Sequence, residues 1–315
     1  MHILDSAETA RHMPFDALIP ALREMFIEGC NVPLRHTHSI DAAPEDAGTV
    51  LIMPAWQIGK RMGIKTVSIF PGNQAKGLPG LHSTYVLFET RSGKPLAMLD
   101  GDVITSRRTA AASALAASWL ARPDARRLLV VGAGRVGSFV PHAYRAVRDI
   151  DTVEVWNPNA ERGRALVDQL NKDGFSASLS TDLETSVRRA DIVSCATLAT
   201  EPLVRGEWLQ PGTHLDLIGS FKPVMRESDG ACFARSTVFV DTDEALAKAG
   251  DVLDAISEGA FSKEALAANL EDLCRGRHAG RRDSEEITLF KAVGNALEDL
   301  AAASLAYDGA MRARA

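Results

Sequence analysis

The segment Leu128-Leu129-Val130-Val131 runs without a break into Gly132-Ala133-Gly134-Arg135-Val136-Gly137, and a helical pattern follows. A strand, a glycine loop and a helix in that order constrain the middle of the chain to one kind of architecture. The glycines allow a tight turn, close approach of the backbone to a pyrophosphate, and close helix-to-strand packing, while the helix start adds N–H donors. The alternation also continues past the loop. β-rich runs at 128–131, 153–156, 176–179, 192–196, 214–218 and 238–241 are separated by helical patterns such as 160–170 and 183–190, too long for hairpin turns. Apolar strands joined in this way predict an α/β fold, a Rossmann-type doubly wound parallel sheet covered on both faces. Gly132, Gly134, Arg135, Val136 and Gly137 are then the candidate dinucleotide-binding residues.

The first stretch reads differently. Strand-like runs at 49–55, 65–70 and 84–89 follow one another through short turns, and Arg91-Ser92-Gly93-Lys94 makes a hairpin turn into 95–99. These predict an α+β unit with its own antiparallel sheet. Thr105 or Ser106 then caps an Ala-rich helix that runs to about Ala121 and stops before Pro123. A long helical pattern over 285–307, after the last strand of the dinucleotide fold, most simply returns to the first unit. The expected domains are 1–118 together with 287–315, and 119–286.

Composition narrows the function classes. Lys plus Arg number 35 against 41 Asp plus Glu, a net of −6 with no basic block, so nucleic acid is not an expected partner. No apolar run reaches the roughly 18 residues of a membrane span, and the N-terminus lacks a basic-then-apolar signal pattern, which points to the cytoplasm. Cys30, Cys195, Cys232 and Cys274 are far apart and form no C-x-x-C pair, against a zinc site or disulfide framework. His36 and His38 lack a carboxylate or cysteine to complete a metal set, so no metal is expected.

Asn157 stands about 20 residues beyond Gly137, where an NAD enzyme usually carries an acid for the ribose 2′-hydroxyl. Asparagine does not repel a 2′-phosphate, and Arg135 and Arg162 are near enough in sequence to pair with one, which favours NADPH over NADH. In the first unit three basic residues are candidates for the substrate. Arg35 follows Pro33 after the first helix, Lys65 opens an apolar strand, and Arg108 falls in the first turn of the Ala-rich helix, where a cation opposes the dipole. Two guanidiniums and an ammonium can clamp a carboxylate, with the lysine as proton donor. Taken singly, each is as readily an ordinary surface residue. Asp216 lies inside an apolar strand and needs a partner, most simply as a structural acceptor.

Several motifs together resemble the ornithine cyclodeaminase/mu-crystallin family. They are Asp100-Gly101-Asp102-Val103-Ile104-Thr105 with Arg108-Thr109-Ala110-Ala111, the glycine loop, Thr197-Leu198-Ala199-Thr200-Glu201-Pro202, Gly219-Ser220-Phe221-Lys222-Pro223, Ala249-Gly250-Asp251, and Thr288-Leu289-Phe290-Lys291-Ala292-Val293-Gly294. The resemblance covers nearly the whole chain and implies a homodimer whose first domains, completed by the C-terminal helix, form the interface. It implies that Arg35, Lys65 and Arg108 bind the substrate, that Ser83 and Thr109 lie near the cofactor, and that Thr197, Leu217, Ile218, Ala292 and Val293 lie near the nicotinamide or substrate. In the cyclodeaminase subgroup an Asp follows a Gly-Gly pair after the fifth strand; Phe221 occupies that position here and can neither accept a proton nor orient an amine. The implied activity is therefore NAD(P)H-dependent reduction of cyclic imino acids, Δ1-pyrroline-2-carboxylate to L-proline or Δ1-piperideine-2-carboxylate to L-pipecolate. Lys65, its ammonium pKa lowered by the two arginines, is the candidate proton donor. Ornithine cyclodeaminase, alanine dehydrogenase and a non-catalytic NADPH-binding protein are the alternatives.

Overall fold

A computed structural model of the chain describes residues 1–40, 43 and 46–314, with Gln74 described by its backbone alone. Two units emerge, Met1–Arg108 with Asn295–Ala315, and Thr109–Gly294. In chain order the first contains β1 (His2–Leu4), α1 (Ser6–Arg11), α2 (Phe15–Glu28), β2 (His36–Ile40), β3 (Gly48–Trp56), β4 (Arg61–Ile69), β5 (Leu81–Glu89), β6 (Pro95–Asp100) and the start of α3 (Gly101–Leu120). The second contains β7 (Arg127–Val131), α4 (Val140–Arg145), β8 (Thr152–Trp156), α5 (Ala160–Lys172), β9 (Ser176–Leu179), α6 (Leu183–Arg189), β10 (Ile192–Cys195), β11 (His214–Leu217) and α7 (Gly230–Ala234). It continues through β12 (Thr237–Val240), α8 (Ala245–Lys248), α9 (Gly250–Ser257), β13 (Ala268–Asn269), α10 (Leu270–Cys274) and β14 (Thr288–Lys291), before α11 (Ala296–Arg314) rejoins the first unit.

The first unit is built on a six-stranded sheet in the order β1-β6-β5-β4-β3-β2, antiparallel except for β1 beside β6. Its register lines up Met53, Lys65, Tyr85 and Leu99 across four strands, and all four are buried. Side chains alternate between faces along a strand, so this row marks the inner face, against which α11 lies at β3, β4 and β5. The hairpin turn at 91–94 is present, with Gly93 at φ +72° and the Gly93 N–H donating to Glu89 O at 2.9 Å.

Ahead of α3 the structure corrects the sequence reading. Asp100 caps the helix, its Oδ1 accepting from the N–H groups of Asp102 at 2.8 Å and Val103 at 2.9 Å. Thr105 and Ser106 lie inside the helix, and Arg108 is two turns in rather than in the first turn. An Asp before Gly-Asp-Val satisfies orphan N–H groups earlier than the hydroxyls could.

The second unit is an all-parallel sheet in the order β13-β12-β14-β11-β10-β7-β8-β9. The alternating pattern is borne out, although eight strands replace the six expected. The largest correction is Thr288–Lys291, which is a central strand between β11 and β12 rather than part of a helix over 285–307. Four residues with helix-like neighbours carry too little periodicity to separate strand from helix, and pairing on both sides decides the outcome. The core strands are buried on both faces: Leu129, Val131, Val193, Cys195, Leu215 and Leu217 line one, and Leu128, Val130, Ile192, Ser194 and Asp216 the other. Asp216 is fully buried among them and accepts from Ser113 Oγ at 3.0 Å, Tyr144 OH at 2.9 Å and Ser194 Oγ at 2.6 Å, while burial pushes its carboxyl up to about 6. Among the described residues, no helix is long and apolar enough to cross a membrane and no cluster of His, Cys, Asp or Glu could hold a metal ion.

Candidate active site

In the first unit two buried cations share one carboxylate. Lys65 projects from the middle of β4 with its side chain 3% exposed, and its Nζ lies 2.6 Å from Asp299 Oδ2 and 3.3 Å from Thr105 Oγ1. Arg108 donates from Nε to Asp299 Oδ1 at 2.9 Å and from Nη1 to Glu298 Oε2 at 2.7 Å. These bonds use two of the five donors of a guanidinium. Burial pulls the Lys65 ammonium down to about 8; Asp299 opposes that shift and Arg108 reinforces it. This corrects the sequence reading, in which arginines alone lowered it. Burial also works against the Asp299 charge, but Lys65 and Arg108 overcome it and hold the carboxyl below its ordinary range.

Glu298 and Asp299 were not among the expected site residues. They stand in the first turn of α11, where acids ordinarily complement the helix dipole. No sequence signal distinguishes them; in the structure the helix that they open is buried without a break from Ala296 to Ala303. Arg35 is half-buried just ahead of β2. Extending the His36–Ile52 pairing by one residue puts it opposite Met53, which pairs with Lys65, a separation of two strand spacings or about 10 Å. Ser83, two residues before Tyr85 on β5, donates its hydroxyl to Asp102 Oδ1 at 2.8 Å. Thr109 is half-buried in α3, at the start of the second unit.

In the second unit the glycine loop leaves β7 beside the point where the strand order reverses, since β7 has β8 on one side and β10 on the other. Ligands of open α/β sheets bind outside the carboxyl ends of strands at such a point. Gly132 has φ +108°, and a Cβ there would stand 2.7 Å from Ala196 O. A Cβ on Gly137 would stand 2.1 Å from Gly132 O, whereas one on Gly134 would meet nothing within 4 Å. Two glycines thus close the turn and the third leaves open space over exposed backbone, a surface that fits a pyrophosphate. The helix after the loop becomes regular only at Val140, because Pro141 has no N–H to continue the ladder to Gly137. Arg135 and Val136 fall in the intervening turn, whose Ser138 N–H donates to Gly134 O at 3.0 Å.

Asn157 braces that loop. Its Oδ1 accepts from the Ala133 N–H at 3.0 Å, and its Nδ2 donates to Asn159 O at 2.9 Å. Arg162, the third residue of α5, and Arg135 are both exposed. The other expected contact residues cluster at the carboxyl ends of β10, β11 and β14. Thr197 N–H donates to Glu227 Oε1 at 2.7 Å, Ile218 N–H to Cys195 O at 2.8 Å, Ala292 N–H to Leu217 O at 3.1 Å, and Val293 N–H to Asp241 Oδ2 at 2.8 Å. These N–H groups are engaged within the unit. Glu227, Asp241, Asp251 and Lys291, which organise them, were not expected. Their sequence spacing follows no ligand-like pattern.

The chain matches the model of the ornithine cyclodeaminase/mu-crystallin family over residues 2–314. It is 46% identical over 302 residues to an uncharacterized protein of Schizosaccharomyces pombe, covering 92% of each chain. It is 40% identical over 285 residues to the Δ1-pyrroline-2-carboxylate reductase of Paracoccus denitrificans, covering 89% of each. The structure of Thermococcus litoralis Δ1-pyrroline-2-carboxylate reductase in complex with NADH and L-proline superposes with a TM-score of 0.93 at 31% identity, covering all of this chain and 98% of that one. By sequence and fold alike, the chain belongs to the ornithine cyclodeaminase/mu-crystallin family.

Proposed function

We propose that the protein is an NAD(P)H-dependent reductase of cyclic imino acids, acting on Δ1-pyrroline-2-carboxylate to give L-proline and on Δ1-piperideine-2-carboxylate to give L-pipecolate. The observation that carries this reading is the Lys65 ammonium, buried and held by Asp299 beside Arg108, in a chain whose relatives in Paracoccus denitrificans and Thermococcus litoralis bear that reductase name. With its pKa near 8, Lys65 keeps its proton at neutral pH and can give it to an imine nitrogen. Arg108 keeps donors for a substrate carboxylate, and Arg35, just ahead of β2, supplies a second guanidinium. Reduction of a cyclic imine asks for little else from the protein than distance, facial selection and a proton.

Gly132, Gly134 and Gly137 would hold the pyrophosphate of the dinucleotide, with Thr197, Leu217, Ile218 and Ala292 around the carboxyl ends of the central strands. When bound, a reduced nicotinamide supplies the hydride that the imine carbon receives. NADPH is favoured over NADH because Asn157 replaces the ribose acid and the exposed Arg135 and Arg162 suit a 2′-phosphate. The Thermococcus enzyme was captured with NADH, so initial rates with both dinucleotides discriminate, and a clear NADH preference removes the NADPH reading. In this proposal the unit Met1–Arg108 with Asn295–Ala315 binds substrate and the unit Thr109–Gly294 binds the dinucleotide.

The first unit also supports a homodimer. The outer face of its sheet carries Ile52, Pro54, Trp56, Met62, Ile64 and Phe88, all half-exposed and adjacent in the register. A contiguous apolar sheet face of this kind suits a second copy. Cys30, Cys195 and Cys232 are free thiols, in keeping with a cytoplasmic location. The deciding experiment measures NADPH and NADH oxidation with pyrroline-2-carboxylate, piperideine-2-carboxylate, and pyruvate plus ammonia in parallel, alongside ammonia release from ornithine. Oxidation with the ring imines and no ammonia release is expected. Ammonia release without added reductant would establish cyclodeamination instead, which Phe221 argues against.

A further inference from the structure

Behind the carboxyl ends of β10, β11 and β14 lies a second cluster of buried charge. Glu227, Asp251 and Lys291 are each at most 1% exposed. Glu227 Oε1 accepts from both the N–H and the hydroxyl of Thr197, at 2.7 and 2.8 Å, while its Oε2 has no hydrogen-bond partner. Asp251 Oδ1 accepts from the N–H groups of Glu227 at 2.8 Å and Ser228 at 2.9 Å, and Lys291 Nζ stands 3.6 Å from Asp251 Oδ2. Lys291 also donates to the carbonyls of Leu217 and Gly219. Ser220, at φ +53°, donates its hydroxyl to Met225 O at 2.6 Å and accepts from the Asp251 N–H at 2.9 Å. The fit is close: a Cβ on Gly219 would stand 2.3 Å from Glu227 Oε1, and one on Gly250 would stand 2.0 Å from Met225 O.

We propose that Glu227 is a positioning residue for dinucleotide binding: its carboxylate fixes the Thr197 loop, while Asp251, holding the Glu227 N–H, and Lys291, holding the carbonyls of Leu217 and Gly219, tie that segment to the strand ends beside it. The inference rests on the dinucleotide reading above and adds to it a group that touches neither substrate nor cofactor. Glu227 acts by accepting two bonds at one oxygen, and those bonds are strongest when the carboxylate is charged. The groups facing it are Lys291 from β14, Asp251 from α9 and the Cys195 thiol from β10. Burial and Asp251 push the Glu227 carboxyl up to about 7, against Lys291 and the Thr197 donors. Protonation near neutral pH therefore weakens the hold on Thr197, and dinucleotide binding loosens as pH falls through about 7.

The test compares wild type, Glu227→Gln and Glu227→Ala at pH 6 and pH 8, with two readouts. One is the Kd of NADPH or NADH, whichever the wild type binds more tightly. The other is hydrogen exchange of the 197–201 amides in the protein without dinucleotide. In the wild type, Kd is expected to rise from pH 8 to pH 6. Glu227→Gln keeps an acceptor of the same shape, so its Kd should be the same at both pH values and near the wild type's value at pH 6. Glu227→Ala should raise Kd at pH 8 about tenfold and speed exchange at Thr197. Thr197→Val, which removes only the hydroxyl, should fall between them and covers the case of an alanine variant that does not fold. Binding and exchange equal to wild type in the folded variants overturn this proposal alone. Absence of dinucleotide binding by the wild type overturns the dinucleotide reading and this proposal with it.

Discussion

Two buried lysines, Lys65 and Lys291, solve opposite problems. Lys65 in the first unit sits on side chains: its neighbours are Asp299 and Thr105, and Asp299 is shared with Arg108. Lys291 in the second unit sits on backbone, donating to the carbonyls of Leu217 and Gly219, while Asp251 and Glu227 bind the N–H groups of neighbouring loops. A cation held only by side chains can exchange its partners for a substrate's, whereas a cation that satisfies main-chain carbonyls at two strand ends is part of the fold. Under the proposed function the first would serve chemistry and the second shape, although burial alone would class them together.

Replacing each lysine with a residue of similar length separates the two roles. Lys65→Met should cut turnover by about a hundredfold to ten-thousandfold while leaving dinucleotide binding at wild-type levels, measured by steady-state kinetics and fluorescence titration. Near-wild-type turnover would remove Lys65 as proton donor. Lys291→Met leaves buried carbonyls and Asp251 without their cation and should destabilise the protein by about 3–5 kcal/mol, read as a lower midpoint in urea. A stable Lys291→Met beside an unfolded Lys65→Met would invert the comparison.

A smaller effect sharpens the first site. Asp299→Asn removes the charge that holds up the Lys65 pKa, so kcat should fall about 10- to 100-fold and the high-pH limb should move. In the wild type, activity that depends on protonated Lys65 declines as pH rises through about 8. Without the carboxylate the ammonium gives up its proton more readily, and the decline begins at lower pH. A pH–rate profile of kcat/KM for both proteins checks the sign; a limb that stays in place separates it from Lys65.

The sequence made the second sheet legible because buried parallel strands read as apolar runs, and the glycine loop carries its spacing on its face. Strand Thr288–Lys291 escaped because it is four residues long, ends on a lysine and is defined by β11 and β12, both distant in sequence. The site was legible by half. Cations in an apolar context attract notice, but Glu298 and Asp299 stand where a helix ordinarily places acids, and only the fold of α11 onto β4 reveals them as partners of Lys65 and Arg108. Glu227, Asp251 and Lys291 carry no common spacing at all, and only the meeting of three strand ends brings them together.

The most direct measurement follows the hydride. NADPH carrying deuterium at both C4 positions is incubated with Δ1-pyrroline-2-carboxylate and the protein, and the product is analysed by mass spectrometry and chiral chromatography. A ring-imine reductase yields L-proline bearing one deuterium, at C2. Proline without label, or no proline while the dinucleotide remains bound and unoxidised, would contradict the assigned reaction.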